Sequence, residues 1–188
     1  MIRFEVFREK AKSLVPARFR RDQRGVAAVE FALILPVMVL LYVGVVDMTY
    51  AVTANRKVAQ VTSAVADLTA QAGMIDDAGV QAMFAASTDI MRPLPGAGLA
   101  VAITSIDFDA QNPPRARVGW SDARGRAPRT APPTLPAGIA LPNTSIIFVE
   151  VSYNFQTPAR FFLPGGETYN SQFYLRPRVG PTVQRVRG

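Results

Sequence analysis

The chain has 188 residues, 49% of them hydrophobic, with 21 Lys and Arg against 14 Asp and Glu, a formal charge of +7 and a pI near 10.4. It has neither cysteine nor histidine, which excludes disulfides, thiolate nucleophiles, imidazole general bases and zinc sites built from those residues. Residues 1–25 hold eight bases and three acids, so this block is +5 while the remainder is nearly balanced at +2. The basic pI therefore describes a short tail, and it argues against a nucleic-acid partner.

Val26 to Val46 reads VAAVEFALILPVMVLLYVGVV, 21 residues with one charge, Glu30. As a helix it spans roughly 31 Å, the thickness of a bilayer's hydrocarbon core. Core helices of soluble proteins rarely run this long apolar on every face, so residues 26–46 are predicted to cross a membrane. The +5 tail before the span and Asp47 after it place the N-terminus in the cytoplasm and residues 48–188 outside, by the positive-inside rule. No second apolar run of that length follows. Pro36 removes a backbone hydrogen bond inside the span and predicts a kink near Ala32. Glu30 is costly there, by up to about 2.5–3.5 kcal/mol at mid-bilayer and less near the interface, and so calls for a cationic partner.

Helical periodicity continues past the span. Val58, Val61, Val65, Leu68 and Ala72 recur at 3-4-3-4 spacing, predicting an amphipathic extension over 47–72 that docks on the protein's own sheet and ends at Gly73. A shorter helix is predicted from an Asp76 N-cap through Val80, Met83, Phe84 and Ile90 or Met91, stopping before Pro93. The period then turns toward two. Leu99, Val101 and Ile103 alternate, and Ile106 and Phe108 follow after a register change that predicts a bulge. Arg115–Trp120, Ser145–Phe155 and Phe173–Val179 read as further strands, the last confined to an edge by Pro177. Between them, residues 121–143 hold five prolines with Arg124, Arg126 and Arg129, and read as an exposed loop. The fold class is α+β: a long N-terminal helix, a short second helix and a small antiparallel sheet, with residues 73–188 as an extracytoplasmic domain.

The junction between tail and span carries the functional signal. Arg20-Arg21-Asp22-Gln23-Arg24-Gly25 ends in glycine, and Val26-Ala27-Ala28-Val29-Glu30-Phe31 begins an apolar helix with an acid fifth and an aromatic sixth. Gly25 has no Cβ to keep an extended backbone out of a protease cleft, and the bases hold the tail against an anionic leaflet. Cleavage after Gly25 gives Val26 a free α-amine, which can neutralise Glu30 of a neighbouring subunit.

Residues 20–70 resemble the TadE-like family of pseudopilins from tight-adherence (Flp-type, type IVb) pilus systems. The shared features are the G-x4-E-F junction, a proline a few residues into the span, and an acid at its far end followed by a long polar helix. The segments Trp120-Ser121 and Tyr174 to Val179 look similar to α-proteobacterial members. The resemblance implies processing by a prepilin peptidase between Gly25 and Val26, with Glu30 and Phe31 as the assembly residues. It also implies a non-enzymatic minor pseudopilin in the inner membrane that assists pilus assembly for adherence. Its partners would be the peptidase, other pilins and pseudopilins, and membrane lipid, with no cofactor or metal.

Other readings fit less of the sequence. Thr49-Tyr50-Ala51 offers a signal-peptidase site, yet the span exceeds the usual h-region of about 7–15 residues. A membrane-tethered or secreted binding module would use Trp120 and the Arg124–Arg129 loop as its contact surface. Asp107-x-Asp109 opens like a calcium loop, but Asn112 stands where glycine is needed and Val118 where a bidentate glutamate is needed. Glu150 and Glu167 are conceivable as a glycosidase pair, although Glu150 sits in an alternating strand whose polar face points outward by default.

Overall fold

The structure, a computed structural model, describes residues 24–157 and 165–188. The basic tail predicted to precede the span lies, up to residue 23, outside them. The chain forms two compact units, Met1–Val45 and Val46–Gly188.

Helix α1 (Arg24–Gln71, 48 residues) supplies the described part of the first unit and enters the second. It continues through Pro36. In the first unit its large apolar side chains, among them Val29, Phe31, Leu33 and Tyr42, are exposed. This is the one helix among the described residues long and apolar enough to cross a membrane.

In the second unit α1 becomes one-sided. Ala51, Ala54, Val58, Val61, Val65, Ala66 and Ala70 are buried, whereas Leu68 is 45% exposed and Ala72 only half-buried. The stripe thus departs from the predicted 3-4-3-4 spacing after Val65. A straight helix drifts by about 20° per heptad against a 3.5-residue repeat, so the buried line passes to Ala66 and Ala70. Thr62 and Thr69 also lie in this face; their hydroxyls donate to the Val58 and Val65 carbonyls at 2.7 Å, which satisfies them in the core. The helix ends at Gln71, but Gly73 does not close it in a left-handed turn. Instead the backbone N–H of Arg178 caps the Ala70 carbonyl at 2.8 Å.

After β1 (Met74–Ile75) comes α2 (Asp77–Met91). Asp76 is its N-cap, as predicted, accepting from the Gly79 N–H at 2.7 Å, and Val80, Met83, Phe84 and Met91 are buried. Strands β2 (Leu99–Phe108), β3 (Ala116–Arg124), β4 (Ser145–Phe155) and β5 (Glu167–Leu175) form an antiparallel sheet in the order β3-β2-β4-β5. β3 runs four residues past its predicted end at Trp120, and β5 starts earlier and stops before Arg176-Pro177, so its edge position holds. A short strand, β6 (Gln184–Arg185), pairs in parallel with β1 and was not legible in the sequence.

The bulge is real but lies on the partner strand. β2 pairs with β4 unbroken from Leu99 to Asp107, and the register shifts between Ser105 and Ile106 only against β3, where Gly119 is the extra residue. The apolar residues of β2 change parity because each face of the sheet has its own cover. Val101 and Ile103, with Ile147, Val149, Val151 and Tyr153 of β4, join the α1 and α2 side chains in the main core. Ile106 and Phe108, with Ile146 and Phe148, form a second cluster on the opposite face, under Leu135, Ile139 and Ala140. The proline-rich segment is mostly exposed, as predicted, but it rests Leu135, Ile139 and Ala140 on the sheet.

Candidate functional site

The junction residues all belong to α1. Arg24, Gly25 and Val26 are the first described residues of α1, so the Gly25–Val26 bond is helical. Among the described residues, nothing beyond its own stretch of helix lies within 4 Å of where a Gly25 side chain would start. Val26 and Glu30 are four residues apart and share one face of the helix. Glu30 and Phe31 are both exposed, Phe31 by 65%. Among the described residues no hydrogen bond or ion pair reaches the Glu30 carboxylate. The structure thus presents an acid and an aromatic, both unburied, on an otherwise apolar rod. Asp47, the acid predicted at the far end of the span, is buried at 1% exposure in the second unit.

Residues 25–67 match the family model described as TadE-like protein. This segment is TadE-like. The match starts at Gly25, covers the apolar run with its single acid, and ends inside α1, leaving the sheet and its covering segments beyond it. No curated protein and no solved structure matches the chain. The TadE-like segment relates the protein to Tad pili, and its apolar helix fits a membrane anchor in a pilus component.

The side chains outside the TadE-like segment that suggested other chemistry are engaged structurally. Trp120 packs against the main core and its Nε1 donates to the Val183 carbonyl at 2.8 Å. The guanidinium of Arg129 forks onto Glu150, with Nη2 at 2.8 Å from Oε1 and Nε bonded to Oε2, and Arg126 adds a cation at 3.6 Å. This pairing holds the Arg129 guanidinium above its ordinary pKa, chiefly through the hydrogen bond to Glu150. Only Arg124 of the three loop arginines is without such a tie among the described residues. Glu150 is on the face opposite the helices, as alternation predicts, but it is 4% exposed because the proline-rich segment covers it. Glu167 pairs across from Phe155, on the other face of the sheet, so the two glutamates do not converge. Asp109 spends its carboxylate on the backbone N–H groups of Gln111 and Arg115, tightening the β2–β3 turn. Asp107 accepts from the Ser105 hydroxyl at 3.1 Å and faces Arg117 at 4.0 Å.

One cluster escaped the sequence reading. Arg185, on β6, donates to Asp122 of β3 and to Asp77 in the first turn of α2. Its side chain is 6% exposed. The Asp77 carboxyl is held below its ordinary pKa chiefly by the hydrogen bond from Arg185, which outweighs the opposing effect of burial with help from the Gly188 N–H. Arg185 itself is raised, chiefly by Asp122. Its partners lie 63 and 108 residues away in sequence, so no local pattern signals them.

Proposed function

We propose that the protein is a TadE-type minor pseudopilin, cut by a prepilin peptidase between Gly25 and Val26, that assists assembly of Flp-type pili. The observation that carries this reading is the TadE-like match beginning at Gly25 and running through the apolar 26–46 span, whose one acid is Glu30. In this reading the span sits in the inner membrane with the tail in the cytoplasm and the sheet domain in the periplasm. The peptidase takes the Gly25–Val26 bond in an extended backbone, so α1 must unwind around it to enter the cleft, losing the hydrogen bonds that the carbonyls there accept.

After cleavage the Val26 α-amine and the Glu30 carboxylate of a neighbouring subunit form the pair that offsets the desolvation of each. The exposed Glu30 and Phe31 then face other pilins and pseudopilins of the machinery. Mass spectrometry of the mature protein, made with and without a prepilin peptidase, tests the proposal. An N-terminus at Val26 only when the peptidase is present is expected. A start at Val52, or an intact tail in both samples, overturns it. Glu30→Ala is expected to preserve membrane insertion and impair pilus assembly.

A further inference from the structure

The segment 125–143 crosses the sheet face opposite the helices with little backbone pairing of its own. Its hydrogen bonds among the described residues include Ile139 N–H to the Pro136 carbonyl at 3.4 Å and Arg129 N–H to the Ser121 hydroxyl at 2.9 Å. The Arg176 guanidinium also reaches the Ile139 carbonyl at 3.1 Å. What fastens the segment is side-chain chemistry. Leu135, Ile139 and Ala140 lie on Ile106, Phe108, Ile146 and Phe148, and this cluster is separate from the main core. Arg129 is held by Glu150 and stands over the Phe148 ring, 5.3 Å from its centroid. Phe148 in turn stacks on Tyr174 at 4.6 Å.

We propose that residues 125–143 form a strap that opens as a unit, latched by the Arg129–Glu150 pair, while the main core stays folded. A region with few backbone hydrogen bonds and its own small apolar cluster opens at lower free energy than the strands beneath it. The latch is the sensitive point, because its charge-assisted, forked hydrogen bonds are the strongest single tie between the segment and the sheet, and opening exchanges them for hydration of both groups. Opening bares Ile106, Phe108, Ile146 and Phe148, a contiguous apolar strip on the face that α1 does not use.

Limited trypsin digestion of the full chain in detergent micelles, read by mass spectrometry, tests this. Glu150→Gln keeps the side chain's size and removes its charge. It is expected to speed cleavage after Arg129 at least tenfold, with circular dichroism and cleavage after Arg178 and Arg185 unchanged. Cleavage after Arg129 within twofold of the unsubstituted protein overturns the proposal. So does equal acceleration at all three sites, which reports global unfolding. Hydrogen exchange of the unsubstituted chain tests it independently of that variant's folding: the bonded Arg129 and Ile139 N–H groups are expected to exchange at one common rate, at least tenfold faster than the amides of Ile147–Val151. Equal rates for the two sets overturn the strap.

Discussion

Arg185 Nε donates to Asp122 Oδ2 at 2.8 Å, fastening the C-terminal strand to the edge of the four-stranded sheet. The same guanidinium reaches Asp77 at the start of α2. Val183, two residues earlier, is buried in the main core, and the Val186 N–H donates to the Ile75 carbonyl at 2.9 Å. The last residues of the chain thus act as a clasp over the end of α1 and the beginning of α2.

Replacing Arg185 by Met is expected to destabilise the second unit by about 2–4 kcal/mol, because Asp122 is left three-quarters or more covered without its cation. Chemical denaturation followed by the Trp120 fluorescence measures it. A loss under about 0.5 kcal/mol would show the clasp to be ornamental.

The Asp77 arm of the clasp is pH-dependent. A carboxyl whose folded pKa is lowered adds stability above its ordinary pKa of 3.8 and loses that contribution as pH falls through the folded value. Melting temperatures of the unsubstituted chain and Asp77→Asn should therefore differ at pH 7 and converge as the pH falls from 3.8 through the lowered folded value. A gap that persists in acid contradicts the ion pair as its source.

Gly119 is the bulge residue, and a Cβ there would clash with the Asp107 carboxylate. Gly119→Ala is expected to cost about 1–3 kcal/mol, as overpacking does. Combining it with Asp107→Ala removes the clash, so the double variant should lose less than the sum of the single losses. Strict additivity in denaturant titrations would exclude this contact as the reason for glycine.

The drift of the α1 stripe gives a fourth test. Val65→Ala, at a fully buried position, is expected to cost about 1–3 kcal/mol. Leu68→Ala, at an exposed position, should change stability by no more than about 0.5 kcal/mol, despite being the larger truncation. Thermal melts of both variants separate a helix of 3.6-residue period from the heptad predicted by spacing alone.

Much of the architecture was legible because it is locally encoded. The Asp76 cap, the stop before Pro93 and the alternation of Ser145–Phe155 each rest on neighbours a few residues apart. The apolar run that follows Gly25 was legible for the same reason, since its residues adjoin in sequence. Leu68 and Gly73 misled because spacing does not report which side of a helix faces a sheet, nor which distant N–H caps its end. Arg129 and Trp120 looked like contact residues because an arginine or tryptophan in a loop or strand shows nothing of a glutamate or carbonyl brought to it by pairing elsewhere.

By itself the sequence determined the long apolar helix with its single acid, the order of helices and strands, and the absence of Cys and His chemistry, because these depend on composition and short-range periodicity. Only the tertiary structure decided that the sheet has two covered faces, that the proline-rich segment lies on one of them, and that the chain's last residues clasp the fold. Those are matters of pairing between residues far apart in the chain. They are settled by which charges and apolar faces meet once the strands assemble, and local patterns carry no record of that.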